Sequence, residues 1–423
     1  MSLLHQSTNE PPASNGMPAA AAVQEGRSHR LRVCSVAYTL YESDSRVMRY
    51  NEALAARGDF VDVIALRVPG KPRTTRTRGV LVTGIQTRNF TERSPLSYLA
   101  RIVLFFVRAS SVLSWRQLRK RYDIVHVHSV PDFLVFTAWL PKLMGAKLIL
   151  DIHDVLPELY ASKFGVSSDA LIFKVLLLIE KVSIAFANHV ITANDIWHNK
   201  LVSRSVPAQK ATVLLNFPDR TVFRPQGRVR HDGKSIMIYP GTLNRHQGLD
   251  IAIKAFDKIK DKFPEAEFHI YGVGPALPDL IRLVEKLGLQ ERIQFKGVRT
   301  LHEIARAMED ADLGIVPKRK DGFGNEAFST KTLEFMALGV PVIVSNTKVD
   351  AYYFDRSLVR FFRAEDTDDL AQAMLDMLND RGARESLIRA GRQFVESNCW
   401  DVKKSLYFKL VDSLAGARGR DHR

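Results

Sequence analysis

The chain has 423 residues, of which 46% are hydrophobic and 25% charged, so it can bury the cores of two globular domains. This composition excludes a fibrous or globally disordered protein. The formal net charge is +15, and the two cysteines, Cys34 and Cys399, fit neither a disulfide framework nor a zinc motif. We therefore expect a reduced, cytoplasmic protein.

Residues 1–30 are rich in Ser, Pro, Ala and Asn, and they contain no basic segment followed by an apolar one. This pattern predicts a disordered tail without an export signal. The apolar runs 102–107 and 171–179 are shorter than the roughly 20 residues that a spanning helix needs, so no transmembrane helix is predicted.

Short apolar runs, often β-branched, alternate with helical patterns, which predicts parallel sheets joined by crossover helices. In the first half, the predicted strands are 31–37, 61–66, 80–85, 124–128, 147–152, 189–192 and 212–215. In the second half, they are 235–239, 267–271, 293–296, 313–316, 342–344 and about 358–362. The turn-forming segment 216–225 is the predicted linker, so we expect two Rossmann-like, doubly wound α/β domains facing a cleft.

Most of the excess positive charge lies in residues 67–121, which contain thirteen Lys or Arg and a single acid, Glu92. Residues 95–121 are predicted to be a helix with one side formed by Arg101, Arg108, Arg116, Arg119, Phe105, Val112 and Trp115. The opposite side, which we expect to pack on a sheet, is formed by Leu99, Val103, Phe106 and Leu113. The arginine side either faces water or rests on an anionic membrane, where each cation contributes about 1 kcal/mol. Nucleic acid is a weaker candidate, because no nucleic-acid-binding motif accompanies the charge.

Polar side chains follow two predicted strands of the first half. The strand in Asp-Ile-Val-His-Val-His ends at His128, and the next strand is followed by His153, Asp154 and Glu158. Ligands bind beyond the carboxyl ends of parallel strands, so we predict a substrate contact for His128 and acceptor contacts among the other three. The alternative for a lone histidine is a local hydrogen bond.

Glycines follow three predicted strands of the second half, in residues 239–248, 271–275 and 293–299. A glycine turn lets the backbone approach phosphate, although a simple tight turn is an equally simple explanation of 271–275. Two Asp-x-Asp pairs superficially resemble a metal motif. We predict no metal site, because Asp312 leads into a buried strand and Asp366 begins a helix.

The most informative stretch is 324–342. Ser329 is a plausible N-cap, Gly339 a helix stop and Pro341 a breaker, which places Glu334 within a helix and Glu326 on the preceding loop. Ionised carboxylates accept hydrogen bonds from sugar hydroxyls, and the free N–H groups of a helix start suit a diphosphate. The segment is therefore suited to a nucleotide-sugar, the alternative being solvated charges beside a buried helix.

The Glu-x7-Glu spacing, followed by an apolar turn and Gly-x-Pro-Val, resembles the signature of retaining glycosyltransferase family four. The resemblance covers about residues 32–412 and implies a GT-B fold. It implies an acceptor domain at 31–217, a nucleotide-sugar domain at 218–398 and a helix at 399–417 that crosses back to the first domain. It also implies that Glu326 contacts the donor sugar and Glu334 the ribose. Further donor contacts implied by it are Gly241, Thr242, Gln247, Gly272, Gly274, Val298, Arg299, Phe328, Ser329 and Thr330.

The chain departs from this family where two cations usually bind the diphosphate, because Thr242 and Gln247 occupy those positions. Charge on a departing diphosphate still needs neutralising, so we predict that Arg245 and Lys331 take over. Together with Glu326 and His128, they form the predicted catalytic group.

The first loop, residues 37–47, lacks the Gly-Gly pair of many relatives. Asp44, Ser45 and Arg46 are therefore predicted to make contacts that the backbone makes elsewhere, and Asp44 and Arg46 join the candidate acceptor residues.

The resemblance implies a retaining transfer of a hexose-type sugar from a nucleoside diphosphate to an acceptor, without cofactor or required metal. We expect a lipid-linked saccharide acceptor of surface polysaccharide assembly, an anionic membrane as partner, and a peripheral position on the inner face of the plasma membrane. The alternatives are a GT-B nucleotide-sugar epimerase and a non-catalytic nucleotide-binding membrane adaptor.

Overall fold

The computed structural model describes residues 30–87, 95–227 and 230–418, and Leu31–Arg423 form one compact unit. The predicted tail lies outside these residues, apart from its last position. The first sheet consists of β1 (Arg32–Leu40), β2 (Phe60–Arg67), β3 (Thr74–Thr77), β4 (Val80–Thr87), β5 (Ile124–His128), β6 (Lys147–Ile152), β7 (His189–Thr192) and β8 (Ala211–Val213). The second consists of β9 (Ser235–Pro240), β10 (Ala266–Tyr271), β11 (Ile293–Gly297), β12 (Leu313–Val316), β13 (Val342–Ser345) and β14 (Arg360–Phe362).

Each sheet reverses its strand order near the middle, as doubly wound sheets do. The orders are β3-β4-β2-β1-β5-β6-β7-β8 and β11-β10-β9-β12-β13-β14. All neighbouring strands are parallel except β3 and β4, which pair antiparallel. The sequence did not predict β3, because this edge strand reads Thr-Thr-Arg-Thr and has no apolar alternation.

Helices connect the strands and cover the sheets. In the first half they are α1 (Ser45–Ala56), α2 (Pro95–Lys120), α3 (Trp139–Leu143), α4 (Leu156–Phe164), α5 (Leu171–Phe186) and α6 (Asp195–Arg204). In the second half they are α7 (Leu249–Ile259), α8 (Leu277–Lys286), α9 (Leu301–Glu309), α10 (Thr330–Leu338), α11 (Lys348–Tyr353), α12 (Thr367–Asn379), α13 (Arg381–Ser397) and α14 (Trp400–Arg418). The last helix, α14, lies against α1 and β5 of the first half.

Helix α2 buries only part of the predicted side: Leu113 is in the core and Phe106 packs against it. Its buried residues are Ile102, Phe105, Ala109 and Leu113, whereas Leu99 and Val103 are exposed. Arg116, predicted to face water or membrane, is 8% exposed and donates to the Thr83 hydroxyl at 2.6 Å. The apolar residues of this helix lie on every side of it, so their spacing alone could not show which side is buried.

By length and composition, one helix among the described residues, Ser97–Lys120, could cross a membrane, with 22% of its most apolar window buried. The prediction from short apolar runs did not single out this segment as long and apolar enough to span. The same helix packs on β1 and β4 and carries the hydrogen-bonded Arg116, which are features of a helix belonging to a folded domain.

Candidate active site

The glycine loops after β9, β10 and β11 lie against one another. Gly241 donates to the Tyr271 carbonyl at 3.0 Å, and Gly272 donates to the Gly297 carbonyl at 2.8 Å. A Cβ added to Gly272 would collide with the Gly241 carbonyl, and one added to Gly274 with the Leu243 backbone. Three predicted donor-site glycines are therefore brought together, and the close approach requires glycine at the last two positions.

Lys331 lies over this group of loops from the first turn of α10. A Cβ at Gly241 would collide with the Cε of Lys331, whose Nζ is 5.1 Å from the centre of the Tyr239 ring. Burial lowers the pKa of Lys331 to about 8, and the negative charge of Glu334 partly opposes this shift. Lys331 therefore lies against the loop after β9, whereas the side chain of Arg245, the other predicted cation, is exposed.

The start of α10 has N–H groups that its capping residue leaves free. Ser329 is the N-cap, as predicted, but its side chain makes no capping hydrogen bond. Among the described residues, the buried hydroxyls of Ser329 and Thr332 have no partner. The helix ends at Gly339, whose φ is 74°, so the predicted stop is confirmed. Such a helix start favours an anion.

Glu334 lies in the middle of α10, close to groups from both halves of the chain. Burial raises its pKa, and the charges of Lys331 and of Arg49 on α1 oppose that effect. The Arg49 guanidinium donates to the carbonyl of Phe217, which lies within the predicted linker. Glu334 thus lies where the two halves meet.

Glu326 has different neighbours from Glu334. Its carboxylate pairs with Lys200 of α6 and lies 3.6 Å from Lys348, and its carbonyl accepts from Asn194 at 3.0 Å. No contact between the two glutamates is present in the described part of the chain. Glu326 therefore joins the second half to α6 of the first half.

A buried ion pair that sequence reasoning missed holds the Glu326 loop. Lys318 is 2% exposed, lies 2.7 Å from Asp350 and donates to the Ala327 carbonyl at 2.6 Å. A lysine two positions beyond the buried strand β12 was the only signal in the sequence. The pair keeps the residue after Glu326 in place.

A polar cluster lies at the carboxyl ends of β5 and β6. Asp151 accepts two hydrogen bonds from Arg46, at 2.8 and 2.9 Å, and lies 3.0 Å from His153 and 3.3 Å from His128. Burial alone would raise the pKa of Asp151, but Arg46 and the histidines hold it well below its usual range. His128 and His153 are thus brought together around a residue, Asp151, that was not selected from the sequence.

Three predicted acceptor residues have partners within the protein. Arg46 is buried and also donates to the Leu214 carbonyl at 2.9 Å, so its guanidinium is occupied. Asp44 caps α1 through the N–H of Val47. Glu158 forms an ion pair with Arg204 at 2.6 Å. The contacts of Arg46 and Glu158 join distant segments and cannot be read from local sequence, whereas the Asp44 cap is a local contact.

The same cluster extends to the C-terminal helix. His126 lies 2.9 Å from the Tyr407 hydroxyl of α14, and burial lowers its pKa well below the usual value. His126, His128 and Asp151 each place one metal-type ligand atom within 4.8 Å of the others. Because Arg46 bonds both oxygens of Asp151, we interpret the group as a hydrogen-bonded network.

The remaining predicted residues differ in exposure and in the side chains that they contact. Phe328 packs edge-on against Tyr353 at 4.9 Å between ring centres. The side chain of Gln247 lies 3.0 Å from His246. Thr242, Val298, Arg299 and Arg245 are exposed, Asp154 has a pKa raised by burial, and Thr330 begins α10. Their roles towards substrate stay predictions.

This fold and these loops define a glycosyltransferase of the GT-B class. Residues 43–216 match the family model described as glycosyl transferase 4-like domain, and residues 223–394 match the model described as glycosyl transferases group 1. The chain therefore belongs to the group 1 glycosyltransferases.

Curated relatives resemble parts of the chain. WcaL of Escherichia coli K12, named for colanic acid biosynthesis, is 27% identical over 36% of this chain and 37% of its own length. The O-antigen biosynthesis glycosyltransferase WclY of Escherichia coli is 28% identical over 57% of this chain and 66% of its own length. The matched stretches thus span between about a third and two thirds of these relatives.

Solved structures resemble nearly the whole fold. Sucrose-phosphate synthase from Thermosynechococcus elongatus has a TM-score of 0.76 at 19% identity, over 91% of this chain and 100% of that chain. HepE from Anabaena, solved in complex with UDP, has a TM-score of 0.65 at 13% identity, over 90% of this chain and 100% of that chain. At such identities, the likeness concerns the fold alone.

Proposed function

We propose that this chain is a retaining glycosyltransferase that moves a sugar from a nucleoside diphosphate to a lipid-linked saccharide. One observation carries the proposal: Lys331 lies over Gly241 at the uncapped start of α10. A lysine, close-packed glycine backbone and free helix N–H groups together suit a diphosphate. The names of WcaL and WclY, and the UDP complex of HepE, favour polysaccharide assembly and a nucleotide-sugar donor.

In the proposed reaction, the bond between the anomeric carbon and the diphosphate oxygen breaks, and an acceptor hydroxyl oxygen forms the new glycosidic bond on the same face. The hydroxyl proton passes to the departing phosphate oxygen, so atoms and charge balance without a separate base. Lys331 and the α10 N–H groups stabilise the departing diphosphate, with Arg245 as the second cation. Glu326 holds the sugar, Glu334 the ribose, and His128 lies on the acceptor side. These residues supply the charge, so we propose that neither a metal nor a cofactor is required.

A panel of nucleotide-sugars tests the donor. The matching donor and its nucleoside diphosphate should raise the melting temperature, because a ligand that binds only the folded state stabilises it. Incubating that donor with and without a lipid-linked saccharide should give a glycoside with retained configuration only in the presence of acceptor. A changed sugar from donor alone would instead identify an epimerase, and binding without any product would identify an adaptor.

The affinity for UDP, or for the matching diphosphate, is expected to fall as pH rises through about 8. The pKa of Lys331 is lowered to about 8, and a diphosphate binds its charged form better. The loss approaches tenfold per pH unit, roughly the limit for one linked proton. Calorimetric titration between about pH 7 and pH 9 measures it.

Matched variants test this assignment of the pH dependence. Lys331→Met should bind more weakly at neutral pH and lose the pH dependence, whereas Arg245→Ala should keep it, because a guanidinium stays charged throughout this range. An unchanged slope in Lys331→Met would show that another group titrates.

We also propose that the protein lies peripherally on the inner face of the plasma membrane, which it contacts through α2. The exposed apolar residues of this helix include Leu99, Val103, Leu104, Val107, Trp115 and Leu118, and Arg108 and Arg119 are exposed beside them. Apolar side chains flanked by arginines suit an anionic membrane surface.

The triple variant Val103→Gln/Val107→Gln/Leu118→Gln is expected to bind anionic vesicles at least about tenfold more weakly, because it removes the apolar contacts. Flotation with phosphatidylglycerol vesicles measures the binding. The control Ile281→Gln/Val402→Gln/Leu406→Gln replaces exposed apolar residues elsewhere and should float like the parent protein. Equal flotation of both variants would contradict contact through α2.

A further inference from the structure

A hollow of about 610 Å³ lies beside α2, away from the loops that surround Lys331. It is lined by the ends of β2 and β4 and by one side of α2, with Arg67, Arg73 and Arg108 among its walls. A volume of this size is typical of a small-molecule site. The close approach of the strands depends on Gly84, where a Cβ would meet the backbone and Cβ of Arg67.

The three arginines have no counter-ion in the part of the chain that the structure describes. All three side chains are exposed, and none forms an ion pair or hydrogen bond with a described residue. Elsewhere in the first half, cations such as Arg46 and Arg204 do form ion pairs with carboxylates. Three unpaired guanidinium groups around one hollow attract an anion, and each can bind phosphate with two parallel hydrogen bonds.

A second observation indicates that the ligand also carries a hydrogen-bond donor. Gln86 lines the hollow, is 6% exposed and donates through Nε2 to the Arg101 carbonyl at 3.0 Å. Among the described residues, its buried Oε1 has no partner. A buried acceptor without a partner is destabilising, and a sugar hydroxyl would satisfy it if the amide turned towards the hollow.

The hollow lies beside the exposed apolar row of α2 and close to the loop after β1. Val107 lines it and also belongs to the exposed apolar row of α2. Arg67 and Arg73 also line an adjacent small hollow bordered by Tyr41 and Glu42, in the loop after β1. The arginines thus lie between the apolar surface of α2 and the carboxyl end of the central strand β1.

We propose that this hollow binds the phosphate or diphosphate that joins the acceptor saccharide to its lipid, with Arg67, Arg73 and Arg108 on the phosphate and Gln86 on a sugar hydroxyl. The lipid chain then follows the apolar row of α2. This inference rests on the proposed function, because it names the site for the acceptor of that reaction. The proposed ligand is the phosphate of the acceptor. The phosphate of ordinary phospholipids is the alternative ligand, which the vesicle experiment distinguishes.

The test uses the full chain and the variant Arg67→Gln/Arg73→Gln/Arg108→Gln. Its matched control, Lys262→Gln/Arg356→Gln/Arg389→Gln, removes three exposed positive charges from the second half. Flotation is measured with phosphatidylcholine vesicles that carry polyprenyl diphosphate, with the same vesicles without it, and with phosphatidylglycerol vesicles. Stabilisation by UDP, or by the diphosphate found in the donor panel, is measured in parallel.

The hollow variant should lose at least about tenfold in affinity for polyprenyl diphosphate vesicles, while the control keeps it. Equal binding by both variants would overturn the proposal. A loss of the same size on phosphatidylglycerol vesicles would overturn it too, by assigning the hollow to phospholipid headgroups. A different result would contradict the proposed function itself: the parent protein would bind no nucleoside diphosphate, whatever its binding to vesicles.

Discussion

Replacing Asp151 with asparagine is expected to lower the free energy of unfolding by about 3–5 kcal/mol, the usual cost of removing one partner from a buried ion pair. Asp151 is fully buried and accepts two hydrogen bonds from the Arg46 guanidinium. Asparagine keeps the volume but leaves the buried arginine without a counter-charge. Urea denaturation followed by far-UV circular dichroism measures the loss.

Two comparisons show whether the buried charge is the cause. The double variant Arg46→Met/Asp151→Leu removes both charges and should be less destabilised than the sum of the single changes. Glu385→Gln breaks the exposed pair with Arg381 at 2.8 Å and should change stability little. A loss of under about 1 kcal/mol in Asp151→Asn would contradict the role given to this pair.

Replacing Glu326 with glutamine is expected to lower kcat by about 100-fold or more, a loss of the size seen when one preorganised hydrogen-bonding group that stabilises a transition state is removed. Glutamine has nearly the same shape, and the hydrogen bond from Asn194 goes to the main-chain carbonyl, so the loop should stay in place. Steady-state kinetics with the matching donor and acceptor measure kcat, and stabilisation by the nucleoside diphosphate checks that the donor site is intact.

The ion pair with Lys200 provides the matched control. Lys200→Met breaks the same contact between the two halves but leaves the Glu326 carboxylate available for substrate. We expect it to keep most of kcat. If Lys200→Met lost as much activity as Glu326→Gln, the carboxylate would act by holding the halves together, and its assigned contact with the donor sugar would be wrong.

The buried β-strands were the most predictable elements of the fold. The bounds of β5, β6, β7 and β12 agree with the predicted ranges at both ends. Strands buried on both faces of a parallel sheet are short, continuous apolar runs, and the loops that follow them contain glycines and polar residues. The glycines near Lys331 were found for this reason, and Ser329 and Gly339 marked the ends of α10 because both are local signals.

Helix α2 shows where sequence patterns stop being informative. Its apolar residues lie on every side, so the predicted buried side was right at Leu113 but wrong at Leu99 and Val103. Arg116, which is buried, was assigned to the surface. Which side is buried depends on the shape of the sheet beneath the helix. The arginines of the hollow come from β2, from the segment before β3 and from α2, and local sequence does not show that they share one hollow.

The amino-acid sequence alone determined the two alternating sheets, the glycine turns and the helix that carries Glu334, because these depend on neighbours only a few positions away. The tertiary structure decided which charges are paired. Arg46 with Asp151, Lys318 with Asp350 and Lys200 with Glu326 are each joined across tens of residues or more. Charge interactions depend on distance in space and on burial, and neither quantity is encoded in the local spacing of residue types.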